Sequence, residues 1–166
     1  MKKIIIVVLC VLCFGFIFYN STKPGDASNE KSYSILNKIR AEYRQLDGEE
    51  KLQYNQLPSS AREEKMNLII RKYAHAFEYC MLSIIVCLIL AQFGLKGKNA
   101  IIYIMFICLL YAVLDEFHQL YVPGRTSSVR DVLIDFLGAL VGMGFYYLVN
   151  HIFFKKTKNN DSNIFK

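Results

Sequence analysis

Apolar residues gather into four stretches of the chain, and polar segments separate them. The stretches cover residues 4–19, roughly 73–93, 100–114 and 132–154. The third holds only 15 strongly apolar residues, about 22 Å of helix against a hydrocarbon core of roughly 30 Å, so its helix must continue into the polar residues that follow. Runs of this length predict an all-α fold, an integral membrane four-helix bundle with an extracytoplasmic helical segment between the first two spans.

Composition supports a membrane protein, because 54% of the 166 residues are hydrophobic, more than a water-soluble core of that size requires. The net charge of +6 could indicate a nucleic-acid partner. However, many of the basic residues lie in short segments beside the apolar runs, which is a topology signal. We therefore expect no nucleic-acid partner. These lysines are Lys2, Lys3, Lys96, Lys98, Lys155, Lys156, Lys158 and Lys166.

The same lysines predict how the chain is oriented in the membrane. Basic residues in short connections favour the cytoplasmic side, so both termini and the 94–99 loop are expected there. The 20–72 segment and the 115–130 loop then face outward. We expect a multi-pass protein of the cell membrane that contacts membrane lipids.

The predicted organisation has three parts. Residues 1–30 form the first span and its exit, residues 31–154 form a membrane domain, and residues 155–166 form a disordered cytoplasmic tail. The spans of the membrane domain cover roughly residues 73–93, 100–121 and 129–154. Lysines before a 16-residue apolar run also fit a signal peptide, but we expect the first span to remain uncleaved.

The long polar segment after the first span is predicted to contain a weakly amphipathic helix. Its apolar residues recur at helical spacing, as in a helix that lies on the outer leaflet or on the rim of the bundle. A solvated spacer helix fits equally well. These residues are Ile35, Ile39, Tyr43 and Leu46. A further helix is predicted to begin with a capping box of Ser60 and Glu63 and to run on into the second span.

All five cysteines lie within the apolar spans, which argues against a secreted disulfide framework. Cys10 and Cys13 form a C-x-x-C motif in the first span. We expect that helix to face lipid, with no other ligand residues nearby, so we assign the motif neither redox nor metal chemistry.

Polar and charged residues crowd the ends of the second, third and fourth spans. An isolated charge inside a bilayer costs several kcal/mol, so such groups turn inward, find partners and usually mark function. Helical spacing places them on one face of each span. A cluster of ion pairs that only fixes the register of the helices is the structural alternative. The residues are Arg71, His75 and Glu78, then Asp115, His118 and Gln119, then Asp131 and Asp135.

The connection between the third and fourth spans carries turn and capping signals. Pro and Gly at the centre of residues 122–125 favour a type II turn. Ser128 and Asp131 have the spacing of a capping box that opens the fourth helix. Further along, the G-x-x-x-G motif of residues 138–142 predicts a close contact with another helix.

The stretches RKYAHAFEY and LDEFHQLYVPGRTSSVRDVLIDFLGALVG resemble the motifs of the VanZ-like family of bacterial membrane proteins. In that family a K-x-x-H-x-x-x-Y stretch at the start of one span is joined to an acidic, Gly-Arg-containing stretch between two later spans. The resemblance covers about residues 30–150, and Asp135 stands where the family often has Asn. The matching positions are Lys72, His75, Tyr79, Asp115, Glu116, Gln119, Gly124, Arg125, Asp131, Asp135 and Gly138.

This resemblance implies a polytopic protein of the bacterial cell envelope that lowers susceptibility to teicoplanin-type glycopeptide antibiotics. It implies a lipid-linked or cell-wall precursor, or the antibiotic itself, as a partner beside the membrane lipids. It does not define a reaction.

One hypothesis is an enzyme of the outer leaflet. A histidine beside a carboxylate in a partly dry site can act as a general acid or base, and the planar guanidinium of an arginine suits a phosphate or carboxylate. The candidate catalytic residues are His75, Glu78, Asp115, Glu116 and Asp131, and the candidate substrate-binding residues are Lys72, Gln119, Arg125 and Asp135.

A second hypothesis is a non-enzymatic membrane protein that binds or shields an envelope component with the same polar cluster. Transport is less favoured, because the first and third spans carry no charge below their outer third. A variant of the enzyme hypothesis places a metal among His75, Glu78, Asp115, Glu116 and Asp131, because histidine with several carboxylates suits zinc, manganese or non-haem iron. The sequence defines no set of ligands, so no metal ligand and no cofactor are assigned.

Overall fold

The computed structural model describes residues 2–47 and 61–164, and within those ranges it contains five helices and no strand. The all-α fold class is therefore confirmed. The helices are α1 (Lys2–Ser21), α2 (Gly25–Asp47), α3 (Ala61–Gln92), α4 (Gly97–Gln119) and α5 (Val129–Ile164).

Four of these helices are long and apolar enough to cross a membrane, as the sequence predicted. The spanning segments are Lys3–Ser21, Lys65–Gln92, Gly97–Gln119 and Val129–Phe153. Their outer surfaces expose large apolar side chains, such as Phe106 at 61% and Val141 at 67%, and in water this exposure would be costly. The chain is a multi-pass membrane protein.

Two helix boundaries differ from the prediction and a third confirms it. The second span begins near Lys65, because α3 is already helical from Ala61 onward. The third helix includes the polar residues DEFHQ and ends at Gln119, as its short apolar run required. The last helix continues to Ile164, through most of the segment that was expected to be a disordered tail.

The polar helix α2 packs against α3. Ser32 and Leu36 are its buried residues, whereas Ile35 and Ile39 are exposed. The expected contact of those isoleucines with the outer leaflet stays a prediction. The predicted cap at Ser60 lies outside the described residues.

The core lies between the four spans and includes small and sulfur-containing side chains. Cys108 and Ala112 of α4 pack with Leu82 of α3 and Ile17 of α1. Cys10 is 8% exposed and belongs to this core, so the expectation that this part of α1 faces only lipid was wrong. All five thiols are free.

The closest helix contact joins α3 and α5 at the two glycines of the predicted motif. A Cβ atom at Gly138 would collide with the backbone carbonyl of Ala76, and one at Gly142 would collide with that of Cys80. Hydrogen in place of a side chain thus lets the two backbones touch, as in other small-residue interfaces between membrane helices. This contact brings the first turns of α5 beside residues 71–79 of α3.

Two connections meet at one end of the bundle. Gly124 has φ of 71°, and the Arg125 N–H donates to the Val122 carbonyl at 3.2 Å, as a type II turn requires. The Gly25 N–H donates to the Pro123 carbonyl at 3.1 Å, and a Cβ at Gly25 would collide with the Gly124 carbonyl. The α1–α2 junction is therefore seated on the α4–α5 turn.

Replacing Gly138 with valine should separate α3 from α5 and lower the free energy of unfolding by about 1–3 kcal/mol or more, because the new side chain meets rigid backbone. Gly144→Val is the matched control, since nothing lies within 4 Å of a Cβ at that position of the same helix. Thermal unfolding of the detergent-purified proteins, followed by helical circular dichroism, measures both. Equal transition temperatures for the two variants would contradict the close contact.

Candidate functional site

A small polar pocket lies at the end of the bundle where α1 and α4 finish and α5 begins. Its cavity volume of about 20 Å³ is enough for roughly one water molecule. The structure brings seven of the nine predicted site residues to its wall: Lys72, His75, Glu116, Gln119, Arg125, Asp131 and Asp135. Glu78 and Asp115, which are not in that wall, adjoin the residues that are. The predicted convergence of the helix ends is therefore observed, whereas the chemical role of each residue stays a prediction.

His75 and Glu78 occupy successive turns of α3 and face each other. The Nδ1 atom of His75 lies 3.6 Å from Oε2 of Glu78, and neither atom has a hydrogen-bond partner in the part of the chain that the structure describes. The other carboxylate oxygen of Glu78 accepts a hydrogen bond from Nδ2 of Asn20 at 2.7 Å. This carboxylate is thus held beside the imidazole by the first span.

Asp115 is almost completely buried, at 2% exposure, and one of its carboxylate oxygens accepts two hydrogen bonds from protein side chains. Oδ2 accepts hydrogen bonds from Ser21 Oγ at 2.7 Å and from Gln119 Nε2 at 3.1 Å. Oδ1 is buried and accepts none from the described residues. Such an oxygen retains its full desolvation cost, so it favours a further donor or cation.

Only one of the two contacts of the predicted capping box forms at the start of α5. The Arg130 N–H donates to Ser128 Oγ at 3.2 Å, so Ser128 does cap the helix. The reciprocal contact from Asp131 is replaced, because the Asp131 carboxylate pairs with the ammonium of Lys72. The Ser128 N–H instead donates to Oε2 of Glu116 at 2.9 Å. Glu116 therefore joins α4 to the first turn of α5.

Arg125 fastens the α4–α5 turn to the end of α1. Its Nε donates to the Lys23 carbonyl at 3.2 Å, and Nη2 donates to the Asn20 carbonyl at 3.2 Å. Nη1 contacts the Gln119 side-chain oxygen at 3.4 Å. These bonds use three of the five guanidinium N–H groups, and no carboxylate among the described residues forms an ion pair with them.

The surroundings of the half-buried Arg125 guanidinium disfavour its positive charge. Burial, followed by the positive charge of Arg71, lowers the pKa of Arg125. The group still carries its charge at neutral pH, because an arginine side chain does not lose its proton in proteins. An incoming anion would relieve the repulsion between these two cations.

The first span contributes site residues that the sequence analysis missed. Asn20 and Ser21 hydrogen-bond to Glu78 and Asp115, yet their letters were interpreted only as a flexible exit from the membrane. Two amide or hydroxyl side chains in the last turn of an apolar helix, level with the acids of the other spans, were the available signal. Arg71 was noted only for its helical face, and it lines the pocket while donating to Asn29 at 3.1 Å.

Not every polar residue of the third span enters the pocket. His118 lies away from its wall, and its ring stacks on Phe18 with 4.6 Å between ring centroids. The group best arranged to hold a metal ion comprises His75, Asp115 and Asp135, each offering one ligand atom within 4.8 Å of the others. His75 and Asp115 were also among the metal candidates from the sequence, whereas Asp135 was not. The other three candidates, Glu78, Glu116 and Asp131, lie outside this group.

A four-span membrane bundle with imidazole, carboxylate and guanidinium groups gathered at one end belongs to the class of polytopic membrane proteins with a polar intramembrane site. More particularly, the VanZ/LLP1 family profile matches residues 6–150. The chain belongs to this VanZ-like family. Searches of curated proteins and of solved structures each returned no match.

Arg125→Lys should lower the free energy of unfolding by about 1–3 kcal/mol, because one ammonium cannot span the three acceptors that the guanidinium reaches. The control is Arg130→Lys, at an exposed position on the first turn of α5. Thermal unfolding in detergent compares the two. A loss of stability in the control alone, or in neither variant, would show that Arg125 does not join the turn to α1.

Proposed function

We propose that this VanZ-family protein acts at the outer face of a bacterial cell membrane. Its pocket binds the anionic end of a lipid-linked or cell-wall molecule, and this binding lowers susceptibility to teicoplanin-type glycopeptides. The observation that carries the proposal is the half-buried Arg125, which has N–H groups to spare and no carboxylate partner among the described residues.

Two more cations support an anion site at this position. Arg71 and Lys72 line the same pocket as Arg125. Lys72 is neutralised by Asp131, so the net attraction for an anion comes mainly from the two arginines. Guanidinium groups bind phosphate and carboxylate oxygens through paired, charge-assisted hydrogen bonds.

The size of the cavity limits what it can hold. A volume of about 20 Å³ admits one water-sized group, so the ligand inserts a single oxygen-bearing terminus while its lipid or peptide body stays outside. The exposed apolar flanks of the spans are in lipid, where the hydrocarbon part of such a molecule also resides. Recognition of a phosphate terminus at the membrane surface fits both constraints.

A chemical step is the second candidate, favoured by the pair of His75 and Glu78. Their facing atoms are 3.6 Å apart, an arrangement in which a carboxylate can orient an imidazole for general acid–base catalysis. The remaining predicted acids have structural partners, since Asp115 binds Ser21, Glu116 binds the Ser128 amide and Asp131 binds Lys72. This leaves the imidazole of His75 as the group that a reaction would use.

Arg71→Gln should weaken binding of a short-chain polyprenyl phosphate about tenfold or more, because one charge-assisted contact contributes roughly 1.5–3 kcal/mol. Arg71→Lys keeps the charge and should retain most of the affinity. Arg130→Gln is the control, since it removes one positive charge from an exposed position at the same end of the bundle. Native mass spectrometry or thermophoresis of the purified proteins gives the dissociation constants.

The same three variants, expressed in a teicoplanin-susceptible bacterium, link binding to protection. We expect Arg71→Gln to lose protection while the other two variants keep it.

A comparison of envelope lipids and peptidoglycan precursors from cells carrying wild-type or His75→Gln protein then distinguishes an enzyme from a binding protein. A chemically altered precursor that depends on His75 identifies an enzyme, and unchanged precursors with retained protection identify a binding protein. Equal affinity in all Arg71 and Arg130 variants would end the anion-site proposal.

The proposed orientation places both termini in the cytoplasm and the pocket outside. Green fluorescent protein fused after Lys166 should therefore fluoresce, and alkaline phosphatase at the same position should be inactive. Phosphatase inserted between α2 and α3 should be active, because that connection would be exported. The reverse pattern would put the pocket on the cytoplasmic side and exclude an outer-leaflet ligand.

A further inference from the structure

We propose that His75, Asp115 and Asp135 bind one divalent transition-metal ion of the Zn²⁺ or Mn²⁺ kind at the base of the pocket. The residues come from three different spans, α3, α4 and α5. One ligand atom from each lies within 4.8 Å of the other two. No direct hydrogen bond between the three residues is present in the part of the chain that the structure describes.

The unpartnered atoms of the two aspartates provide an independent indication of a ligand. Asp115 and Asp135 are each 2% exposed. Oδ1 of Asp115 has no donor among the described residues, and no described side chain or backbone N–H donates to Asp135. Two carboxylates at this separation inside a membrane bundle repel each other, and a cation between them relieves that repulsion.

The basic side chains nearby do not supply that cation. Lys72 is paired with Asp131, and Arg125 donates to the Lys23 and Asn20 carbonyls and to Gln119. A proton on one aspartate would relieve the repulsion between the two acids but would give His75 no part in the cluster. A divalent ion balances both carboxylates and takes the imidazole as its third ligand.

The donor set selects the kind of metal. One imidazole nitrogen with two carboxylate oxygens suits Zn²⁺, Mn²⁺ or Fe²⁺ better than the all-oxygen sites of Ca²⁺ and Mg²⁺. Three protein ligands leave a coordination position open, and the adjoining cavity of about 20 Å³ has space for one water there.

The surroundings of the three ligands match those of known metal sites. Metal-binding histidines usually have a carboxylate, a backbone carbonyl or a water at the other ring nitrogen, and Oε2 of Glu78 lies 3.6 Å from Nδ1 of His75. Neither of these two atoms has a hydrogen-bond partner among the described residues, so a small approach of the carboxylate to Nδ1 would orient the ring for a metal at its other nitrogen. Ser21 and Gln119 fix Asp115 through its other oxygen, Oδ2. These two hydrogen bonds orient Asp115, one of the three proposed ligands, toward the cluster.

Metal binding is tested on the intact protein in detergent, stripped with a chelator and dialysed against ZnCl₂ or MnCl₂. Elemental analysis should find about one ion per chain. The Mn²⁺ form should show the electron paramagnetic resonance signal of an ion immobilised in protein. Both readouts are independent of envelope molecules and antibiotics, so failure here is distinguishable from failure of the proposed function.

Asp135→Asn is the decisive variant, because Asp135 makes no hydrogen bond to the described residues and its loss leaves their contacts intact. We expect Asp135→Asn, Asp115→Asn and His75→Ala to weaken metal binding at least tenfold. His118→Ala, which changes a histidine of the last turn of α4 outside the cluster, should bind metal like the wild type. Circular dichroism and gel filtration confirm that each variant is folded. The proposal is overturned if the wild type takes up no stoichiometric metal, or if folded Asp135→Asn binds it with unchanged affinity.

Discussion

Hydrogen bonds to a buried carboxylate hold the functional end of this membrane protein together. Asp115 lies inside the bundle, where an uncompensated charge costs several kcal/mol, and Ser21 and Gln119 both donate to its Oδ2 atom. Ser21 belongs to α1 and Gln119 to the last turn of α4. The need to solvate one acid therefore determines where the first span ends relative to the third, and the Arg125 contacts to the Asn20 and Lys23 carbonyls add to the same joint.

A second constraint aligns α3 with α5. Gly138 and Gly142 allow the α5 backbone to touch the carbonyls of Ala76 and Cys80, so the register of the two helices is fixed by steric fit. Asp135 lies one turn before Gly138, and His75 directly precedes Ala76. The helix contact therefore brings the Asp135 carboxylate within 4.8 Å of the His75 ring. The close packing at Gly138 and Gly142 thus positions His75 and Asp135 at the polar end of the bundle.

Much of this arrangement could be predicted from the sequence. The lengths of the apolar runs predicted the four spans. The third run is too short to cross the hydrocarbon core, which correctly predicted that DEFHQ belongs to α4. Three- and four-residue spacing identified the faces of α3 and α5 that meet at the pocket. On α4 the wall is formed by Glu116 and Gln119, whereas His118 of the predicted face lies outside it. The partners within the pocket could not be predicted, because helical spacing defines a face without defining which neighbouring helix it meets. Glu116 was considered catalytic and is bonded to the Ser128 amide, while Asn20 and Ser21 were overlooked. Asp135 was assigned to substrate and lies with His75 and Asp115.

The seating of the α1–α2 junction on the α4–α5 turn has a consequence for maturation of the protein. Gly25 is in direct contact with the turn, and the residues just before it carry the donors and carbonyls that Glu78, Asp115 and Arg125 use. A leader peptidase that cut near Gly25 would release these groups together with α1. Glu78 and Asp115 would then lose donors while remaining inside the membrane. The contacts around the pocket therefore depend on an attached α1, which supports Glu78, Asp115 and Arg125 from behind the pocket wall.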